Sequence, residues 1–133
     1  MKLVILLIAV LLFLLSCTTE QSATKTPASE PQPHLVEITS AGFSPKSISI
    51  NAGDSVPWVN KDTNQHSPES AVHPTHTVYP GSSIEKCGSG EAIFDACKGL
   101  KKGESFTFTF TERGQWGYHD HLTVGFPGTV VVE

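Results

Sequence analysis

Cysteine, positive charge and long apolar runs are all scarce in this sequence, and each shortage narrows what the protein can be. Three cysteines are present, and 9 lysine and arginine residues stand against 13 acidic ones, for a net charge of -4. No basic patch interrupts this acidic balance, which argues against a nucleic-acid partner. The one long apolar run, at the start of the chain, is too short to span a bilayer.

The motifs of hydrolytic enzymes are also missing. The sequence has no Gly-x-Ser-x-Gly turn, and no pair of carboxylates stands out in the arrangement that glycoside hydrolysis needs. We therefore expect a protein that is not an enzyme. Any catalytic activity would have to be carried by a bound metal.

The first residues are typical of a targeting signal. Lys2 supplies a positive start, residues 3–15 are almost entirely apolar, and the run ends at Ser16-Cys17. This ending resembles a bacterial lipobox, so we predict a lipoprotein signal peptide over residues 1–16 and lipidation of Cys17. An ordinary secretory signal or a short signal anchor is the alternative. The lipoprotein interpretation implies an extracytoplasmic protein that is anchored to the membrane through its lipid.

Residues 17–34 are polar and rich in Ser, Thr, Gln and Pro, which predicts a flexible tether ahead of a domain at residues 35–133. With Cys17 assigned to lipid, Cys87 and Cys97 remain as a pair on either side of a Gly-containing loop. An oxidising compartment would allow them to form a disulfide. Two free thiols that bind a metal are the rival interpretation.

The domain has the alternating apolar pattern of short strands. No amphipathic helix of useful length is visible, although Glu91 to Lys98 could hold a turn or two. Short strands separated by regular turns predict an all-β fold, a small antiparallel Greek-key β-sandwich. The apolar positions that share a face are Ile48 and Ile50, then Val56 and Trp58, then Phe106, Phe108 and Phe110.

Two histidines near the end of the chain are the first candidate metal ligands. His119 and His121 are two residues apart, so in an extended strand their side chains point to the same side. Two imidazoles on one face can bind one metal ion or two adjacent ions. The alternative is that they are polar residues at the rim of a strand.

Three more histidines, His66, His73 and His76, lie in the segment from Asn60 to Pro80, which has no strong strand pattern. Loops held by a rigid sandwich often carry binding residues. Imidazole suits copper, zinc, iron or nickel, and copper binds most strongly at an unselective nitrogen site. His76 is equally consistent with a hydrogen-bonding residue that fixes the loop.

The order of elements resembles the cupredoxins, small copper-binding sandwiches. The resemblance rests on the segments WVNKDTNQHS, SFTFTF, GQWGYH and GTVVVE. In that family a histidine shortly after Trp-x-Asn is the first copper ligand, which corresponds to His66. The others come from a loop of the form Tyr-x-Cys-x-x-His-x-x-Met-x-Gly, but here Asp120, Thr123 and Phe126 occupy the Cys, His and Met positions.

Without the thiolate, the resemblance implies a weakly coloured nitrogen and oxygen site instead of a blue copper centre. We predict copper as the cofactor, with His66, His119 and His121 as the principal ligands. His73 and His76 are secondary candidates, and Asp120 could add an oxygen ligand.

Three functions follow from these predictions. The first is sequestration, buffering or delivery of copper at the membrane surface. The second is electron transfer, or a role in metal oxidation or iron uptake. The third is a metal-free interaction module with a degenerate site. The expected partners are the membrane, through the lipid anchor, and a redox or copper-delivery protein.

Overall fold

The computed structural model describes residues 34–133. The predicted signal peptide at residues 1–16, the lipidation at Cys17 and all but the last residue of the tether lie outside the described residues. Among the residues described, no helix is long and apolar enough to cross a membrane. The described elements are β1 Val36–Thr39, β2 Gly42–Ser44, β3 Ser47–Ile50, β4 Ser55–Asn60, β5 Pro68–Ser70, a 3-10 helix at Ile84–Lys86, β6 Ser105–Thr109, β7 Gly114–Asp120 and β8 Pro127–Val132.

The strands form two four-stranded sheets, in the orders β2-β1-β4-β6 and β3-β8-β7-β5. This confirms the all-β sandwich, but the sheets are mixed and the expectation of purely antiparallel strands is wrong. Strand β1 runs parallel to β4, and β3 runs parallel to β8. The apolar alternation determines which face of a strand is buried, whereas it carries no information on the direction of the neighbouring strand. The predicted turn at Glu91 to Lys98 is not helical, and the single described helical turn lies earlier in the chain.

The core lies between the two sheets and is built around Trp58, which is fully buried. Its ring centroid lies 5.1 Å from that of Phe94 and 5.4 Å from that of Tyr118. Burying one aromatic side chain of this size contributes roughly 1.5–3 kcal/mol. Tyr118 is paired across β7 and β8 with Gly128, and a Cβ atom at position 128 would come within 2.2 Å of the Tyr118 ring. The glycine is therefore needed to let this ring into the core.

Strand β5 is an edge strand of the second sheet, and the histidines lie together at this edge. It lies within the segment that showed no strand pattern, and it pairs with β7 so that Glu69 lies opposite His119. The loop after β5 then carries His73 and His76 back towards the same edge, where Val78 N donates a hydrogen bond to Ala71 O over 2.6 Å. Residues far apart in sequence thereby come together beside β7.

Candidate metal centre

Four histidines form a cluster beside β7, which we call the four-histidine cluster. Each offers a ring nitrogen, and these atoms all lie within 4.8 Å of one another. Nδ1 of His121 lies 3.2 Å from Nε2 of His76. A tetrahedral ion with bonds of 2.0–2.1 Å to imidazole holds its donor atoms about 3.3 Å apart. The cluster can therefore close around one ion with small side-chain shifts. Its members are His73, His76, His119 and His121.

The backbone of β7 and of the loop after β5 positions the side chains of the four-histidine cluster. His119 belongs to β7, and His121 follows it with its N donating to Ser67 O over 2.9 Å, so both side chains emerge on one side of the strand. His76 adopts a left-handed backbone conformation with φ of 56°. Non-glycine residues adopt this conformation uncommonly, so the loop specifies where the ring of His76 lies.

The cluster is graded from buried to exposed. His76 is fully buried, His119 and His121 are half-buried, and His73 is exposed. The pKa of His119 is lowered, first by burial and then by the neighbouring histidines, which favours the neutral imidazole that binds metals. Nε2 of His119 is also buried, and no hydrogen-bond partner for it is found within residues 34–133. A buried nitrogen of this kind is suited to a metal ligand.

Two buried carboxylates contact ring nitrogens of the four-histidine cluster. Oδ2 of Asp95 lies 2.9 Å from Nδ1 of His76, and Oε2 of Glu69 lies 2.8 Å from the same nitrogen and 3.1 Å from Nδ1 of His121. At His76, the carboxylates at Nδ1 place the ring proton there and leave Nε2 free to bind a metal. Burial, followed by the charge of Asp95, raises the pKa of Glu69 to about 7, against the hydrogen bond from Ser67.

Glu69 and Asp95 were not found from the sequence. Glu69 reaches the cluster through its strand pairing with His119, and Asp95 through an isolated bridge to Glu69. Only the register of the folded sheet brings them to the histidines.

The disulfide predicted between Cys87 and Cys97 is present, so the alternative of free thiol ligands does not apply. Its loop also carries Asp95, whose Oδ1 accepts a hydrogen bond from Cys97 N over 2.7 Å. The disulfide loop is therefore joined to His76 through the carboxylate of Asp95.

His66 and Asp120 lie outside the four-histidine cluster and contact each other. Nδ1 of His66 is 2.6 Å from Oδ2 of Asp120, and its Nε2 is 3.1 Å from Oδ2 of Asp62. Both ring nitrogens are therefore engaged by carboxylates. Burial disfavours the charged form of His66, but hydrogen bonds with Asp120 and Asp62 outweigh it and raise the pKa. The sequence ranked His66 above His73 and His76, and the structure brings the latter two, not His66, to His119 and His121.

The four positions that correspond to the family's copper ligands nevertheless lie close together in the structure. Oγ1 of Thr123 lies 3.4 Å from Nδ1 of His66, and the ring of Phe126 stacks on that of His66 with centroids 6.0 Å apart. With Asp120, these residues surround His66, as the sequence correspondence implied. The place that a thiolate copper site would occupy is filled by a histidine and carboxylate pair.

Fold and imidazole cluster together define a small β-sandwich protein with a candidate metal site at one sheet edge. Residues 33–133 match the family described as copper binding proteins of the plastocyanin/azurin family, and the chain belongs to this family. Copper is accordingly its cofactor. The nitrogen-rich donor set of the four-histidine cluster fits this metal.

Individual relatives agree with this assignment. The chain is 33% identical over 93 residues to plastocyanin from Scenedesmus fuscus, covering 68% of the chain and 86% of the relative. It is 31% identical over 101 residues to amicyanin from Paracoccus denitrificans, covering 74% and 64% respectively. The solved structure of a purple cupredoxin from Nitrosopumilus maritimus superposes with a TM-score of 0.56 at 21% identity, over 74% of this chain and 98% of that one. The last similarity concerns the fold.

Proposed function

We propose that this protein holds copper in the four-histidine cluster, outside the cytoplasm, in order to sequester, buffer or deliver the metal. The observation that carries the proposal is the convergence of four ring nitrogens within 4.8 Å. Imidazole nitrogens bind copper strongly, and among residues 34–133 no thiolate is available because the cysteines at positions 87 and 97 form a disulfide. The lipidation predicted at Cys17 would keep the protein at the membrane surface.

The graded exposure of the cluster suits loading and release. His76 is held in the core by Asp95 and Glu69, so it contributes a fixed donor. His73 is exposed and lies on a loop, so it can leave and rejoin the metal at low cost. A site with one fixed edge and one movable ligand binds a metal securely while still allowing ligand exchange with another protein.

Exposed apolar side chains beside the cluster favour contact with a protein partner. Val124 is fully exposed and lines a surface cavity of about 320 Å³ together with His73, His119 and His121. Leu122, the residue after His121, is 52% exposed. A partner docked there would reach the movable histidine. The same surface would serve electron transfer, which is the second candidate function and is favoured by the plastocyanin and amicyanin relatives.

Copper titration of the full chain tests the proposal. We expect one tightly bound Cu(II), nitrogen coupling in the electron paramagnetic spectrum and no intense thiolate band. His119→Ala should weaken copper binding at least tenfold. The control is His34→Ala, which should leave copper binding unchanged, because Nε2 of His34 lies 3.2 Å from Oδ2 of Asp54 and His34 is not a member of the cluster. Equal copper affinity in the two variants would overturn the proposed ligand set.

A second measurement separates the two functions. A protein that stores or delivers copper should give it up to a competing chelator, and faster when His73 is replaced by Ala. An electron carrier should instead cycle reversibly between Cu(I) and Cu(II) without losing the ion. Reversible cycling with slow, His73-independent release would favour electron transfer.

A further inference from the structure

His76 contacts potential metal donors on both sides of its ring. Its Nε2 faces the four-histidine cluster, 3.2 Å from Nδ1 of His121. Its Nδ1 faces the buried carboxylates of Glu69 and Asp95, at 2.8 and 2.9 Å. One nitrogen and two carboxylate oxygens thus meet on the Nδ1 side of the His76 ring, where Oε2 of Glu69 also lies 3.1 Å from Nδ1 of His121. All three residues are buried, and their donor atoms lie within 4.8 Å of one another.

One of these oxygens lacks a hydrogen bond. The ring N–H of His76 satisfies Oδ2 of Asp95 with good geometry. A single N–H cannot serve both carboxylates well, and Oε2 of Glu69 is buried with no acceptable donor among the residues described. An unpaired buried carboxylate oxygen is costly, because it has lost its water without gaining a partner. A cation between the two carboxylates would satisfy both.

A cavity leads to this point from the surface. It has a volume of about 250 Å³ and is lined by Ser67, Glu69, Asp95 and His121 together with the Cys87–Cys97 disulfide. The lining of this cavity shares only His121 with the lining of the cavity beside His73. An ion could therefore reach the carboxylates without passing through the four-histidine cluster, and water could complete its coordination.

We propose that Glu69, Asp95 and Nδ1 of His76 form a second metal site for a borderline divalent cation of the Zn²⁺ class. One imidazole nitrogen and two carboxylate oxygens, with a water or His121 as the fourth ligand, are donors that zinc accepts in four-coordinate sites. When copper binds Nε2, coordination at Nδ1 requires the Nδ1 proton to leave for solvent. His76 would then bridge the two ions as an imidazolate, and each second cation bound would release this proton together with any proton held on Glu69.

The inference goes beyond the proposed copper function and shares only His76, with His121 as an optional fourth ligand. Its test is zinc titration of the copper-loaded full chain, with both metals counted in the protein after removal of excess ions. We expect one copper and one zinc per chain in the wild type. Asp95→Asn and Glu69→Gln should each lower the zinc affinity at least tenfold, and by a larger factor than they lower the copper affinity. Glu85→Gln, an exposed acid on the 3-10 helix, is the charge-matched control and should keep both.

Two results would overturn the second site. One is a copper-loaded wild type that takes up no zinc. The other is a set of carboxylate variants that only weaken copper binding while zinc uptake stays as in the wild type, because the carboxylates would then merely orient His76. His119→Ala distinguishes the two proposals, since it should lose copper and still bind zinc. Loading both sites with copper adds an independent readout: an imidazolate bridge should reduce the paramagnetic signal to well below that of two isolated ions.

Discussion

Replacing Asp120 tests whether the buried pair of His66 and Asp120 stabilises the fold or binds the metal. Their side chains are 1% and 0% exposed, and the two atoms that join them are 2.6 Å apart. Oδ1 of Asp120 also accepts hydrogen bonds from Ser67 N at 2.8 Å and Leu122 N at 3.2 Å. Asp120→Asn preserves the shape and the Oδ1 acceptor, but it removes the charge opposite His66. Asp120→Ala removes both.

The expected loss of stability follows from these contacts. Removing one partner of a buried ion pair costs roughly 3–5 kcal/mol, and a hydrogen bond to a charged group contributes about 1.5–3 kcal/mol. We therefore expect Asp120→Asn to lower the free energy of unfolding by about 2 kcal/mol and Asp120→Ala by about 4 kcal/mol. With a urea m-value of about 2 kcal/mol/M, the alanine variant should unfold at a midpoint about 2 M lower.

The pair should also make stability depend on pH. The pKa of His66 is raised in the folded protein, so the folded state holds this proton more tightly than the unfolded state. Its contribution is complete below the unfolded pKa of about 6.5 and is lost as the pH rises through the folded value. The difference between wild type and Asp120→Asn should therefore shrink as the pH is raised above about 6.5.

Urea unfolding of the metal-free protein, with copper titration of the same samples, is the assay. Asp54→Asn is the control, because it alters a similar histidine and carboxylate pair at the surface. Its unfolding midpoint should stay close to that of the wild type. Loss of copper binding in Asp120→Asn with unchanged stability would refute this reasoning. His66 and Asp120 would then be ligands, as their place in the sequence suggested.

Three further predictions concern Glu69, the disulfide and the position of the missing thiolate. Because the pKa of Glu69 rises from 4.5 to about 7 on folding, the metal-free protein should lose up to about 3 kcal/mol of stability between pH 4.5 and 7. Glu69→Gln should reduce this slope in urea unfolding, and an identical slope would contradict the assignment. Replacing Cys87 and Cys97 by Ala should lower the free energy of unfolding by about 3 kcal/mol. It should also weaken copper binding, because the disulfide loop carries Asp95, and calorimetry would detect both effects. An unchanged copper affinity would show that the loop does not support the site. Asp120→Cys with Thr123→His should give copper an intense visible thiolate band, and bound copper without that band would contradict the convergence on His66.

Much of the fold could be predicted from the alternation of apolar residues. Phe108 and Phe110 were placed on one face of a strand, and both are buried. The parallel pairs could not be predicted, because β1 and β4 are brought together by the closure of the sandwich and not by a hairpin. Strand β5 was missed since it has only three residues, all buried, and so shows no alternation.

The site was predictable where it depends on local geometry. The spacing of His119 and His121 placed them on one side of β7, and the structure agrees. The same period of two places Asp120 on the opposite side, where it meets His66, which is why it does not reach the cluster. The positions of Glu69 and Asp95 depend on strand register and on an isolated bridge, and neither of these can be predicted from a sequence pattern.

The two faces of β7 carry the two sets of candidate ligands in this member of the family. The face that carries Asp120 lies against His66, Thr123 and Phe126, where a carboxylate and a histidine neutralise each other in a buried pair. The face that carries His119 and His121 is open to the loop after β5, which can add imidazoles without disturbing the core. Replacing the thiolate by a carboxylate removes copper–sulfur covalency and with it the direct route for an electron. Under the proposed function, His73 and His76 on the other face supply the donors that hold the ion, and we therefore propose storage or delivery ahead of electron transfer.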